Sequence, residues 1–453
     1  MNRPISTGRP PPLRSAAQTY VANVAGAFLS LANVLVVARA LGAEGRGHVA
    51  FLTAIAWFVS NLSTFGVQEA NANVAAAEPE RRRALATNSL VFALVFGAVA
   101  IAAVAGLVEL VPAAGGDSHS TLLWATLAFL PVLVLQPFLR LLIQADYGFA
   151  VTNLGYVLPP VLNLVANAGL AAAGVLTVGT AIAAWLAGQV AMVALFVWHV
   201  ERRLAGFGRP DLGLARRALA FGAKAHLGRV MLLGNYRLDQ WLVGAISGAR
   251  ELGTYSVAVA WAEALWYLPT ALAAVQRPDL VRAQPRAAGA QAARVFRVAT
   301  LITAVAALAM VAAAPVLCVA LFGEEFRGSV DDLRVLVAGA FGVVAVKLFG
   351  GALVAKGRPV LQSVGIGAGF VCTIVLDVVL IPPFGGLGAA LASTLAYAAA
   401  GAAMAFMFLR ALETGPSELV PRPGEVGGFV RDVFGRLRRR PAAPQPEQTT
   451  IAP

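Results

Sequence analysis

One stretch of the sequence, residues 224–240, places basic and aromatic side chains at helical spacing within an otherwise apolar chain. At about 100° of rotation per residue, five of these side chains fall on one face about 100° wide. The face extends about 20 Å along the helix axis. Because guanidinium groups bind phosphate oxygens through paired hydrogen bonds, the stripe predicts a binding site for a phosphate-bearing anion. Its members are His226, Arg229, Tyr236, Arg237 and Gln240.

Two further basic residues, Arg140 and Lys347, lie in other apolar runs and are candidates for the same site. A charge at the centre of a membrane helix costs about 2.5–3.5 kcal/mol, so each should face a partner or a water-filled cavity. A structural alternative is that Arg237 pairs with Asp239 or Glu263 and only holds helices together. The carboxylates that could couple an ion or act as structural partners are Glu69, Asp239, Glu263 and Asp377, the last without an obvious partner.

The sequence predicts neither a metal site nor a cofactor. The four histidines are scattered without metal-ligand spacing. Cys318 and Cys372 lie in apolar runs, which indicates buried thiols and not a disulfide. The sequence has no glycine-rich phosphate loop ending in Lys-Ser/Thr, so ATP-driven pumping by this chain alone is excluded.

The elements that carry these residues are predicted to be transmembrane helices. The chain is 58% hydrophobic and 13% charged, with a mean hydropathy of +0.74, whereas globular domains are about 25% charged. A span needs about 20 apolar residues. The sequence therefore predicts an all-α polytopic membrane protein of about twelve spans. They lie near 17–41, 46–73, 85–111, 121–144, 149–174, 180–200, 219–247, 253–276, 297–321, 331–354, 360–381 and 387–409.

The loops carry a strong charge bias. One set of loops holds 25 of the 35 lysines and arginines, and the opposite set holds five, among them Arg39 and Arg46. Positive residues favour the cytoplasmic side, so we expect both termini in the cytoplasm, which requires an even number of spans. The net charge of +12 is therefore mainly a topology signal, and nucleic-acid binding is not expected.

The chain also repeats itself. The segment from Gly47 aligns with that from Gly253 at an offset of 206, and the segment from Gly179 aligns with that from Gly388 at an offset of 209. Two six-helix lobes follow, related by a pseudo-twofold axis along the membrane normal with a cavity between them.

Domain boundaries follow from the spans and the basic loops. We predict a cytoplasmic tail at 1–16, an N-lobe at 17–200, a basic cytoplasmic linker at 201–218 and a C-lobe at 219–410. In the cytoplasmic tail at 411–453, apolar and arginine residues alternate at helical spacing. This pattern indicates either a basic amphipathic helix at 427–440 on the inner leaflet or a disordered basic tail.

Several motifs carry a family resemblance: ARALGAEGRG at 38–47, YRLDQWLVGAISG at 236–248, LGTYSVA at 252–258, LFGEEFR at 321–327 and FGGLGAA at 384–390. Their order and spacing resemble the polysaccharide-type lipid flippases of the multidrug/oligosaccharidyl-lipid/polysaccharide exporter superfamily. The resemblance extends over the chain up to about residue 410.

The resemblance implies a flippase and not an enzyme. Such a protein moves a polyprenyl-pyrophosphate-linked oligosaccharide across the bacterial cytoplasmic membrane by alternating access, for exopolysaccharide or O-antigen biosynthesis. The cationic stripe would receive the pyrophosphate. The implied partners are the lipid-linked sugar, membrane lipids, a polysaccharide polymerase and glycosyltransferases, and the chain would act as a monomer. We expect an ion gradient or the membrane potential to drive transport.

Other functions on this sequence remain open. A cation-coupled multidrug antiporter of the same fold often carries a carboxylate in the first span, which this chain lacks. Peptidoglycan-precursor flippases of the superfamily have fourteen spans. A sugar polymerase or ligase would be expected to have a sizeable outer loop, and none is predicted. Recognition of a glycan would use aromatic and amide side chains, which could equally serve in helix packing. The candidates are Trp57, Asn61, Gln68, Trp261, Trp266 and Tyr267.

Overall fold

The computed structural model describes residues 12–110, 121–204 and 206–420, and within these ranges the chain forms thirteen α-helices and no strand. The all-α prediction is confirmed. The predicted helix 427–440 and most of the 1–16 tail lie outside the described residues. The helices are α1 Pro12–Leu62, α2 Val67–Ala77, α3 Arg82–Leu110, α4 Thr121–Leu127, α5 Leu130–Ala145, α6 Phe149–Ala172, α7 Val178–Arg203, α8 Leu212–Ile246, α9 Ala249–Ala264, α10 Tyr267–Arg282, α11 Pro285–Pro315, α12 Ser329–Ala355 and α13 Pro359–Ala411.

The helix lengths account for the twelve predicted spans. Within the described ranges, nine helical regions are long and apolar enough to cross a membrane. Two of them, α1 with 51 residues and α13 with 53, exceed twice the bilayer core at about 1.5 Å per residue. Each breaks at a glycine with positive φ, Gly42 (φ 68°) and Gly385 (φ 55°), and so contains two spans. The charged α8 is the twelfth, since its mixed composition keeps it out of the nine.

The turns between spans gather at two ends of the bundle. The end with the turns near residues 42, 248 and 385 is called the Arg-poor end, and the opposite end, with the turns near 146 and 208, the Arg-rich end. At the Arg-poor end, Oε1 of Glu251 accepts a hydrogen bond from the Gly386 amide at 2.9 Å. At the Arg-rich end, Nη1 of Arg82 donates to Oδ1 of Asp146 at 2.6 Å.

The repeat is visible where the two halves meet. A Cβ added to Gly47 would lie 1.6 Å from the Ala249 carbonyl oxygen, and one added to Gly253 would lie 1.9 Å from that of Ala43. Both pairs are related by the predicted offset of 206. This reciprocal packing, called the α1–α9 crossing, is the small-xxx-small contact that lets membrane helices approach closely. The predicted halves meet at this crossing and are called the N-lobe (α1–α7) and the C-lobe (α8–α13).

The apolar core divides differently at the two ends. Around the α1–α9 crossing, one cluster joins buried residues of both lobes, such as Ala43 and Val257. Toward the Arg-rich end, the core separates into a cluster of N-lobe helices with the start of α8, around Phe138, and a C-lobe cluster around Phe349. The lobes therefore share one apolar core at the Arg-poor end, whereas at the Arg-rich end the start of α8 packs against the N-lobe and the rest of the C-lobe core is separate.

We expect Gly47→Ala to destabilise the protein, because the new methyl group overlaps the Ala249 carbonyl and forces α1 and α9 apart. Overpacking of this kind costs about 1–3 kcal/mol. Thermal unfolding in detergent measures the effect. The control is Gly106→Ala in α3, where an added Cβ meets no atom within 4 Å, so stability should not fall. Equal stability of the two variants would contradict a close α1–α9 crossing.

Candidate functional site

The predicted stripe on α8 faces the N-lobe at its Arg-rich half. Nη2 of Arg229 donates to Oδ1 of Asn61 at 3.2 Å, and its Nη1 lies 3.7 Å from Oε1 of Glu69. The His226 ring stacks on Phe65 with centroids 5.3 Å apart. These three contacts cross between the lobes, so the stripe lies at the lobe interface and not in a lipid-facing position.

A break between α1 and α2 places the N-lobe side of this contact. Phe65 (φ 46°) and Gly66 (φ 68°) both adopt left-handed backbone, which is unfavourable for a bulky residue such as Phe65. The break brings Gly66 so close to α8 that an added Cβ would lie 2.5 Å from the Gly222 carbonyl oxygen. Sequence reasoning did not identify Phe65; the Phe-Gly pair inside a predicted span was its only signal.

Arg237 lies farther along α8 and is held by a carboxylate of α9. Its guanidinium donates from both terminal nitrogens to Glu263, with Nη2 to Oε2 at 3.2 Å. The same group lies 5.7 Å from the ring centroid of Trp57 in the N-lobe. About a quarter of the Arg237 side chain stays exposed. Arg237 therefore pairs with Glu263 and not with Asp239, and it still contacts the opposite lobe.

An aromatic group lies next to Arg237 in the C-lobe. The rings of Tyr236, Trp266 and Tyr397 contact one another with centroids 5.0 to 6.4 Å apart. The Lys347 Nζ lies 5.3 Å from the Tyr236 ring centroid, close enough for a cation–π contact. The group gives the site a polar, flat surface beside its cations, of the kind that contacts sugar rings.

The N-lobe contributes one basic residue, Arg140 of α5. Its guanidinium donates to the Tyr156 hydroxyl and lies 5.3 Å from that ring's centroid. Arg140 is also close enough to Arg229 and Glu69 to interact with their charges. The structure thus brings Arg140 and Arg229 near each other from different lobes, and Arg229 pairs with Glu69. Tyr156 was not singled out from the sequence.

Asp239 points away from the stripe into the C-lobe. Its Oδ2 accepts hydrogen bonds from the Tyr255 hydroxyl at 2.5 Å and the Ser393 hydroxyl at 3.1 Å. Its Oδ1 accepts from the amide of Gln240 at 2.7 Å, and Gln240 itself is nearly buried. Asp239 is therefore a buried carboxylate whose hydrogen bonds come from neutral groups.

Asp377 of α13 is another buried carboxylate of the C-lobe. It is fully buried, and neither carboxylate oxygen has a hydrogen-bond partner within the described part of the chain. It lies near enough to Asp239 for their charges to interact. Nearby, Thr373 donates to Oδ1 of Asn235 at 2.7 Å. A carboxylate pair with surrounding hydroxyl groups can bind a proton or a small monovalent cation.

The other glycan candidates divide between the site and its surroundings. Trp57, Asn61 and Trp266 contact site residues, as described above. The Trp261 indole donates to the Leu317 carbonyl at 3.2 Å and so lies in the packing near the Arg-poor end. Gln68 is fully buried. Among residues 12–110, 121–204 and 206–420, no group of three or more His, Cys, Asp or Glu side chains could hold a metal ion.

Comparison with known proteins agrees with this architecture. Residues 36–331 match the family model described as "Polysaccharide biosynthesis protein". No curated protein matches the chain significantly. A structure titled "Lipid II flippase MurJ, inward closed conformation" superimposes with a TM-score of 0.69 at 12% identity, covering 95% of this chain and 94% of that one.

Two transporters of another type share the fold. An inward-facing multidrug resistance MATE family transporter of the MOP superfamily has a TM-score of 0.69 at 14% identity, covering 88% of this chain and 99% of that one. A MOP superfamily transporter from Pyrococcus furiosus has a TM-score of 0.59 at 12% identity, with coverages of 91% and 99%. At these identities the likeness concerns the fold, which is that of multi-pass membrane transporters.

Proposed function

Because the chain belongs to the polysaccharide biosynthesis protein family, we propose that it is a flippase for a polyprenyl-pyrophosphate-linked oligosaccharide. The substrate crosses the bacterial cytoplasmic membrane chemically unchanged. The Arg-rich end lies in the cytoplasm and the Arg-poor end outside, as the loop charges favour. The sugar then enters a cell-surface polysaccharide.

The observation that carries this proposal is the positive charge between the lobes. Four basic side chains surround two carboxylates there, which leaves a net charge of about +2 and matches the two negative charges of a pyrophosphate diester. Arginine pairs with phosphate oxygens in the same geometry as with a carboxylate. The basic residues are Arg140, Arg229, Arg237 and Lys347, and the carboxylates are Glu69 and Glu263.

Substrate entry exchanges one set of ion pairs for another. In the unloaded protein, Glu69 and Glu263 occupy Arg229 and Arg237. An entering pyrophosphate displaces both carboxylates, and its phosphate oxygens replace their hydrogen bonds. The release of Glu69 removes an ion pair between the lobes, so binding weakens the contact that closes the Arg-rich end. This couples substrate binding to the change of access.

The sugar part of the substrate follows the aromatic surface. Tyr236, Trp266 and Trp57 lie beside the cations, and flat rings pack against the apolar faces of sugars. The lipid tail stays in the bilayer. Asp239 and Asp377 bind the coupling proton or cation.

The alternative function is export of small organic molecules in exchange for a cation. An organic cation requires negative charge in the cavity, but Glu69 and Glu263 are each neutralised by an arginine. Asp239 and Asp377, which form no ion pair with a described basic residue, are buried in the C-lobe and do not face the cations. The charge balance therefore favours the anionic substrate.

The test is reconstitution of the protein in proteoliposomes with a fluorescent polyprenyl-pyrophosphate-linked sugar. We expect the sugar to become accessible to a membrane-impermeant quencher on the opposite face, faster with a proton or sodium gradient. The polyprenyl-monophosphate analogue should move at least about tenfold more slowly, because one phosphate is missing. Absence of movement, together with gradient-driven efflux of organic cations, would establish the antiporter instead.

A further inference from the structure

Arg46 shares the face of α1 that contacts the substrate site. Counting about 100° per residue, Arg46, Trp57 and Asn61 fall within about 60° of one another. Trp57 contacts Arg237 and Asn61 contacts Arg229. Arg46 therefore lies on the same side of the helix, about 16 Å farther toward the Arg-poor end.

Arg46 differs from the site arginines in having no partner. Its Nε is buried, and no described residue accepts a hydrogen bond from this nitrogen. By contrast, Arg39 at the same end donates to the carbonyl groups of Leu321 and Ala320 at 2.5 and 2.6 Å. Arg327 pairs with Glu324.

An uncompensated guanidinium in this position is costly. Its desolvation is normally offset by a carboxylate or by several hydrogen bonds, and an ionisable residue inside a membrane bundle usually has a function. An arginine that only anchored the helix end would extend its whole guanidinium to water or lipid phosphates, whereas Arg46 is half-buried and its Nε is buried without a hydrogen-bond partner. The unpaired Nε of this half-buried guanidinium is therefore available to an anion that is not part of the chain.

The position of Arg46 next to Gly47 indicates at which step of transport an anion would bind to it. Gly47 forms the α1–α9 crossing with Ala249, and Glu325 reinforces this end by accepting a hydrogen bond from the Ala43 amide at 3.1 Å. Arg46 therefore lies beside the contact that joins the lobes at the Arg-poor end. Separation of α1 and α9 would expose Arg46 to the outer side.

We propose that Arg46 is the exit-side binding residue for the phosphate groups of the substrate, which extends the proposed function. Arg229, Arg237 and Arg46 then form a series of cations from the Arg-rich to the Arg-poor end. After the anion leaves Arg237, Glu263 pairs with that arginine again and prevents its return. Arg46 has no competing carboxylate and holds the anion until the α1–α9 crossing opens. Water then screens the contact, and the substrate is released.

The test compares Arg46→Gln with Arg250→Gln. Arg250 is exposed at the same end, so both variants lose one positive charge from that end. We expect Arg46→Gln to bind the polyprenyl-pyrophosphate sugar in detergent within about twofold of wild type, since Arg229 and Arg237 remain. Its translocation rate in proteoliposomes should fall at least about tenfold, as expected for loss of a charged phosphate contact. Arg250→Gln should translocate normally, and Arg46→Lys should recover part of the rate.

Thermal unfolding separates this role from a structural one. Removal of an uncompensated charge should leave Arg46→Gln at least as stable as wild type. A marked loss of stability, a normal translocation rate, or an equal loss of rate in Arg250→Gln would each overturn the proposal for Arg46. If wild type itself does not translocate the pyrophosphate lipid, the proposed function fails, which is a different outcome from normal transport by Arg46→Gln.

Discussion

Replacement of Arg237 by glutamine is expected to reduce translocation about 100-fold or more, because loss of one partner in a buried charged contact costs about 2–5 kcal/mol. Arg237 is the site cation that contacts both lobes, through Glu263 in α9 and Trp57 in α1. Transport of a fluorescent polyprenyl-pyrophosphate sugar in proteoliposomes measures the effect. Arg237→Lys should recover only part of the rate, because a lysine cannot form the paired hydrogen bonds of a guanidinium.

The single variant also leaves Glu263 without a partner, so a second variant is needed to separate binding from folding. In Arg237→Gln/Glu263→Gln, both charges are removed and no carboxylate is left uncompensated. We expect this double variant to regain the thermal stability of wild type but not its transport. If the double variant transports normally, Arg237 serves only to join α8 and α9. Glu263→Gln alone should keep the binding site, since it retains the guanidinium.

Replacement of Asp377 by asparagine is expected to stabilise the protein while removing the effect of an ion gradient on transport. Burial of a carboxylate without hydrogen bonds is strongly unfavourable, and both oxygens of Asp377 lack partners. Asparagine has nearly the same shape and no charge. The thermal midpoint should therefore rise, and gradient-driven transport should fall to the rate measured when proton and sodium gradients are both collapsed.

The matched control is Asp331→Asn, the same chemical change at a carboxylate whose side chain is 72% exposed. It should change neither the stability nor the gradient dependence. Retention of gradient-driven transport in Asp377→Asn would exclude Asp377 as the coupling residue and would direct attention to Asp239 alone. Stability measured beside transport distinguishes a lost ion site from a protein that has not folded.

The sequence alone was sufficient for features that depend on local spacing. Helix periodicity determines which side chains share a face, so the sequence placed Asp239 off the stripe from His226 to Gln240, and Asp239 accepts a hydrogen bond from Tyr255 inside the C-lobe. Hydropathy predicted a polytopic helical membrane protein, and the offset of 206 relates the two glycines of the α1–α9 crossing. The hydropathy signal arises within about one helix length, and the repeat signal arises from two copies of the same sequence pattern. Neither signal requires knowledge of how the helices pack.

Tertiary structure alone decided which residues meet. The sequence left Arg237 between Asp239 and Glu263, and the packing of α8 on α9 selects Glu263. The sequence also offered no basis for assigning different roles to Arg39 and Arg46. The two residues have the same side chain and both lie in α1. Arg39 reaches carbonyl groups 281 and 282 residues away, whereas Arg46 lies beside the α1–α9 crossing without a partner. Contacts between lobes depend on how two finished helical bundles fit together, and no local pattern in either half encodes that fit.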